Sequence, residues 1–288
     1  MKTASRIYLA LVFIFLYAPL AVMILISFNG GESTTVMDGT SLRWYREMLR
    51  DGATLQALQN TVVLSISSAV ISTILGTFAA MGIHHMRRKA LRSAVMTVTN
   101  VPMMNPDIVT GISLMLLFVF AGTLLGSETY LSFWTLLIAH ITFSLPYVIL
   151  SILPKFKQMD RNLPEAAMDL GCTPLQSFLK VELPFIAPGI LTGLIMAFTL
   201  SFDDFVISNF TSGSGFETLT IHIFAMTKKS VKPDIYALST MIFFVVLVML
   251  LAYNFMTGAD ERRARREREA KARFLRRLRK ETAGKEAA

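Results

Sequence analysis

Six long apolar runs, set apart by charged or polar segments, constrain this chain more than any single motif. From about Ile7 to Phe28 no charged side chain occurs. At ~1.5 Å per helical residue that run crosses a hydrocarbon core ~30 Å thick. Five further runs lie at about 61–83, 94–121, 131–152, 189–210 and 236–256. The composition agrees: 53% of residues are hydrophobic and the mean hydropathy is +0.53, well above a soluble domain. Within lipid each backbone polar group must be satisfied inside its own segment, so the expectation is an all-α polytopic membrane protein with six transmembrane helices. A secretory signal is the competing reading of the first run. That run is too long and no Ala-x-Ala site closes it, so it reads as an uncleaved first span.

Charge sets the orientation. Segments 1–6, 84–93, 153–188 and 257–288 hold 2, 4, 4 and 12 Lys plus Arg, whereas 29–59, 122–130 and 211–235 hold 3, 0 and 3. Basic residues gather on the cytoplasmic side of membrane proteins, so both termini are expected in the cytoplasm of a bacterial cell with this chain in its inner membrane. The same topology explains the excess of basic residues without nucleic acid. Two regions follow: a transmembrane domain over 1–256, and a basic tail over 257–288. In the tail, Glu261/Arg265, Glu267/Lys271 and Glu269/Arg273 stand four apart in the order that favours a helix. It reads as a solvated helix or one lying on anionic lipid.

The spans carry their own signals. Between the first two, Leu42, Trp44, Tyr45 and Leu49 suggest a short interfacial helix. Ser68, Ser72, Gly76 and Ala80 recur every fourth residue of span two, a small-residue stripe suited to close helix packing. His84 and His85 are neighbours that point about 100° apart on a helix, which disfavours a shared metal. Span three is broken by Pro102, Asn105 and Pro106, with Asp107 directly after. Asn105 could cap the second half with Pro106 first in the helix, or the break could line a passage. Asp203 and Asp204 lie ~21 Å along span five, at a depth similar to Asp107. Carboxylates at that depth cost at least ~2.5 kcal/mol each and normally face a bundle interior or watery cavity. The stripe Ala197, Ser201, Asp204, Ser208 and Thr211 is the expected lining of a passage for a cation. Asp203 is expected to bond a neighbouring helix or to add negative charge at the cavity's edge. Alternatively, both acids only hold helices together.

The inter-span segment 153–188 is the most informative connection. Pro164 suits the start of a short helix, and Gly171 suits the residue just past its end. Thr173-Pro174-Leu175-Gln176 reads as a capping box opening a second helix, and Pro184 is expected to stop it. Small apolar side chains at Ala166, Ala167 and Leu170 suggest a surface built to dock.

Glu165-Ala166-Ala167, then Gly171 four residues on and Leu183-Pro184 thirteen residues further, resemble the "EAA" cytoplasmic loop of ABC importer permeases. Val181 stands where that pattern usually has Ile. Met103-Met104-Asn105-Pro106-Asp107-Ile108-Val109, Ala139-His140-Ile141-Thr142-Phe143, Phe198-Thr199-Leu200-Ser201-Phe202-Asp203-Asp204, Phe28-Asn29 and Trp44-Tyr45 are similar to the C-type permease subunit of spermidine/putrescine importers. The likeness covers about residues 5–256. It implies the type I importer fold, pairing with a related permease chain, a dimer of ATP-binding subunits docked on the Glu165 loop, and an extracytoplasmic substrate-binding protein. The cargo it implies is a polyamine; permeases for other small solutes share much of the pattern.

No G-x-x-x-x-G-K-[S/T] loop, G-x-S-x-G or H-E-x-x-H occurs, so the chain is not expected to be an enzyme or to bind ATP itself. Its one cysteine, Cys172, excludes a disulfide framework and a cysteine metal site. No cofactor is expected in this chain. A secondary transporter is the rival reading, since it too uses broken helices and membrane carboxylates, although no internal repeat is visible. A structural membrane protein would not need the buried acids.

Overall fold

The computed structural model describes residues 2–33, 36–126, 131–160, 162–213, 215–229 and 233–255. The expected basic tail, 257–288, lies outside the described residues. Among them are six helices long and apolar enough to cross a membrane. In chain order the elements are α1 (Lys2–Ser27), α2 (Arg43–Met48), α3 (Gly52–His85), α4 (Lys89–Met104), α5 (Asp107–Leu124) and α6 (Phe133–Gln158). Then come α7 (Asn162–Asp169), α8 (Pro174–Ser177), a π-helical turn (Phe178–Glu182), α9 (Leu183–Phe202), α10 (Val206–Thr211), α11 (Leu219–Lys229) and α12 (Pro233–Phe255).

The small-residue stripe of α3 explains the centre of the molecule. Ser68, Ser72, Gly76 and Ala80 are all buried, and α3 packs on α6 and α9 as a tight three-helix core. Contact is closest at Val148 of α6. A Cβ built on Gly76 would fall 2.6 Å from Val148 Cγ1, and one on Gly193 of α9 would fall 3.2 Å from it. Ala69, Ile83, Ile149, Ile152, Phe156 and Ile186 fill the space around that point. A second apolar cluster joins Met48, Ala57, Leu219 and Leu238, from α2, α3, α11 and α12. The apolar face of α1, by contrast, is left uncovered by its own chain.

Span two is longer than the apolar run suggests because Asp51 caps it early. Its carboxylate accepts the amides of Ala53 and Thr54 and the Thr54 hydroxyl. Ahead of that cap, the loop from Phe28 to Ser41 is folded around Asn29. The Asn29 amide donates to Ser33 and Val36 carbonyls and accepts from the amides of Gly31 and Asp38. Trp44 is 4% exposed, packed inside its own chain. Its indole N–H donates to the Asn29 carbonyl at 2.7 Å, a partner that lets the ring be buried.

Two expectations about helix breaks need correction, the cap of α5 and the stop at Pro184, while the expected break in span three is present. Span three is two helices, α4 and α5, and only α5 is itself long and apolar enough to cross a membrane. Asn105 does not cap α5: it closes α4 in extended conformation, Pro106 occupies the N-cap position, and Asp107 is the first helical residue. Pro184 does not stop the helix after the Thr173 cap. The π-turn at Phe178–Glu182 carries the chain into α9, with Leu183 N–H reaching back to the Phe178 carbonyl. That wider turn accommodates the proline, which has no N–H to place in the normal ladder.

Candidate functional site

Span five is broken where no proline or glycine marks it. α9 ends at Phe202, residues 203–205 are non-helical, and α10 resumes at Val206. Asp204 restarts the helix. Its carboxylate accepts Ile207 N at 3.3 Å and Ser208 N at 2.8 Å, an N-cap that satisfies two orphan donors next to the positive end of α10. The Asp204 carbonyl, freed by the break, accepts the Thr220 hydroxyl of α11 at 2.7 Å. Phe205 packs against Phe224 of the same helix, with ring centroids 4.6 Å apart.

The two aspartates are placed differently. The Asp204 side chain is only 7% exposed and points inward. Ala197, Ser201, Ser208 and Thr211, the other members of the expected stripe, are buried against the chain's own helices. They pack the bundle and leave Asp203 as the exposed one of the two aspartates. The cause is local: the expected stripe assumed a continuous helix, and the break turns the chain between Asp203 and Asp204.

Behind the break sits His140 of α6, fully buried. Its Nδ1 lies 2.8 Å from Ser201 Oγ and its Nε2 3.0 Å from Ser208 Oγ, with Asp204 Oδ2 3.7 Å from Nε2. Ser68 of α3 donates to Ser201 Oγ at 2.9 Å. One imidazole thus joins both halves of span five to the core. The sequence contains this histidine inside Ala139–Phe143, yet nothing in its spacing singles it out. A buried histidine opposite a Ser/Asp-rich helix was the available signal.

Asp107 is exposed at the start of α5. α5 packs along α10, where a Cβ on Gly111 would meet the Phe210 ring at 3.0 Å and Ile207 Cα at 3.6 Å. Asp107 stands one helical turn ahead of that contact, and Asp203 stands four residues ahead of Ile207 across the non-helical stretch 203–205.

The segment between spans four and five forms a compact helical pair. Gly171 has φ +91° and closes α7: its amide bonds the Met168 carbonyl and the Cys172 amide bonds that of Ala167. This double bond pattern requires a left-handed residue at that point. Thr173 and Gln176 form the expected reciprocal box. Ser177, buried, donates to the Pro164 carbonyl and ties the two helices together. Pro164 is the third residue of α7, not the first. Ala167 turns inward against this junction and is unavailable for docking, a correction imposed by the packing of α7 on α8. Glu165, Ala166, Leu170, Gly171 and Pro184 are exposed, with Leu170 reaching 88%, while Leu183 packs against the core. His84 stacks on Phe156 at 5.0 Å, and no group of three metal-ligating side chains occurs among the described residues.

Residues 72–266, more than half of the chain, match the family described as "Binding-protein-dependent transport system inner membrane component". The chain belongs to that family. This inner membrane component is 39% identical over 258 residues to the putrescine transport system permease protein PotI of Escherichia coli (strain K12), covering 89% of this chain and 92% of that protein. It is 34% identical over 245 residues to the spermidine/putrescine transport system permease protein PotC of the same organism, covering 85% and 90%. Among solved structures, a chain of a bacterial ABC transporter that imports the acidic polysaccharide alginate shares the fold, with TM-score 0.67 and 16% identity over 91% of this chain and 95% of that one. The protein is therefore a multi-pass inner membrane protein with an ABC transporter permease fold, and the secondary-transporter reading falls away.

Proposed function

We propose that this chain forms, with a related permease, the membrane path of an ABC importer for a polyamine. The observation that carries the reading is the pair of exposed carboxylates, Asp203 and Asp107, each standing at a break, in spans five and three. Negative charge in a low-dielectric passage favours a cation and opposes anions. A flexible polyamine, with ammonium groups spaced along an apolar chain, meets separated carboxylates without a single tight cage. The names of the relatives PotI and PotC support the same cargo.

The remaining parts follow from this reading. Segments 84–93 and 153–188 hold 8 Lys plus Arg between them against 6 in 29–59, 122–130 and 211–235 together, which supports both termini and the α7–α8 pair lying in the cytoplasm. Glu165, Ala166 and Leu170 then present a small, partly apolar face to a separate ATP-binding subunit, which supplies the energy. The α2 and α11 ends face outward, toward an extracytoplasmic binding protein.

Labelled spermidine and putrescine uptake by the complete assembly tests the proposal. A cation ~4 Å from a carboxylate gains up to about 4 kcal/mol at an effective dielectric of ~20, so even a largely offset contact is worth more than tenfold in rate. Asp203→Asn and Asp107→Asn, assembled normally, are expected to lower uptake by about tenfold or more. Asp204→Asn keeps a good N-cap and is expected to lose less than either. Uptake unchanged in both Asp203→Asn and Asp107→Asn would overturn the cationic path.

A further inference from the structure

The polar chain behind span five spans the break. Ser68 Oγ of α3 reaches Ser201 Oγ, which meets His140 Nδ1. His140 Nε2 meets Ser208 Oγ, with the Asp204 carboxylate just beyond. Both ring nitrogens are used, one on each side of the break.

The need for such a bridge is physical. α10 is six residues long, far too short to hold itself as a helix. Asp203 is tied to α9 by its amide, which bonds the Thr199 carbonyl at 3.3 Å. The angle at which α10 leaves α9 decides what the Asp203 carboxylate faces across the break. The Asp204 cap fixes the start of α10 but not its tilt; a lateral anchor to a rigid neighbour does that. Val148, close-packed between Gly76 and Gly193, makes α6 such a neighbour.

We propose that His140 is a positioning residue of the transport path: by holding Ser201 on α9 and Ser208 on α10, it fixes the break in span five and so the surroundings of the Asp203 carboxylate. This rests on the reading of Asp203 as a contact for the cationic cargo. His140 itself stays buried and touches no cargo. The same break is roofed by α11 through Thr220 and Phe205–Phe224, so a loosened α10 also disturbs the outer face.

Two near-isosteric variants separate positioning from bulk packing. In His140→Gln the side-chain amide nitrogen takes the place of Nε2 and keeps the bond to Ser208. In His140→Asn the amide oxygen takes the place of Nδ1 and keeps only Ser201. Polyamine uptake by the assembled complex is expected to show a KM within about threefold of the parent for His140→Gln and raised about tenfold for His140→Asn. A second readout needs no cargo: Asp203→Cys in a Cys172→Ser background makes position 203 the single thiol of this chain. Its reaction rate with a membrane-impermeant maleimide is expected to change severalfold when His140→Asn or Ser208→Ala is added, and to stay unchanged with His140→Gln. Equal KM values for the Gln and Asn variants, or a labelling rate indifferent to both His140→Asn and Ser208→Ala, would overturn the proposal. Should Asp203→Asn transport normally while the labelling rate still responds, the cargo reading fails and the positioning of residue 203 by His140 stands.

Discussion

Replacing Gly76 by alanine tests the closest contact of the core. The new Cβ would lie 2.6 Å from Val148 Cγ1 and 2.9 Å from Val148 Cβ, both inside any real Cβ contact. The obstructing atoms belong to a β-branched side chain with one preferred rotamer in a helix, so it cannot swing aside cheaply. Overpacking of this kind costs about 1–3 kcal/mol. Alanine offsets about 1 kcal/mol of that through its better helix propensity. The net expectation for Gly76→Ala is a loss of up to about 2 kcal/mol. Gly82 provides the control within the same helix, because a Cβ there meets nothing within 4 Å. Gly82→Ala should keep the propensity gain of about 1 kcal/mol and stabilise the protein. Thermal unfolding of the purified complex in detergent, with the two variants side by side, is the assay. Gly76→Ala/Val148→Ala should recover stability relative to Gly76→Ala alone. A Gly76→Ala protein as stable as Gly82→Ala would refute the packing argument.

Further outcomes follow from the loops. Gly171→Val places a β-branched residue at φ +91°, where only strain and not crowding opposes it, so α7 should lose its closing turn and ATP hydrolysis should uncouple from uptake in a complex that still inserts; coupled uptake at the parental ratio would contradict this. Asp51→Ala should cost about 0.5–2 kcal/mol as a lost N-cap, toward the low end for so exposed a group. The Thr54 hydroxyl, helped by the Thr54 and Ala53 amides, holds the Asp51 carboxyl below its ordinary value. The stabilisation is therefore present above about pH 4 and lost as pH falls through the depressed value, so the melting difference between parent and Asp51→Ala should vanish in strong acid. Asn29→Ala removes four hydrogen bonds from a buried residue, should cost about 1–3 kcal/mol, and should open the 28–41 loop to limited proteolysis while shifting Trp44 emission.

Much of this protein was legible because membrane burial writes itself into long runs. The six spans, the short α2, the Gly171 stop and the Thr173–Gln176 box each rest on local physics, namely hydrocarbon thickness, a positive φ, and orphan backbone donors. The misreadings occur where tertiary partners override local rules. Asp203 and Asp204 sit in an apolar run with no breaker residue, and the break exists because Asp204 caps α10 while Thr220 and His140 hold its two sides. Pro184 looked like a terminator because a π-turn cannot be read from Phe178–Glu182 alone. Ala167 looked outward because the helix that α7 packs against, α8, follows it in the chain. His140 was hidden for the same reason: its partners lie more than sixty positions along the chain.

Solute selectivity of the reconstituted complex tests the central claim most directly. Proteoliposomes holding this chain, its related permease and the ATP-binding subunits would be given the binding protein, internal ATP, and labelled spermidine, putrescine, a neutral amino acid or an anionic sugar. The account predicts saturable, ATP-dependent uptake of the polyamines alone, cut about tenfold or more by Asp203→Asn. Uptake of the neutral or anionic solute in their place, or polyamine uptake indifferent to Asp203→Asn and Asp107→Asn together, would contradict it.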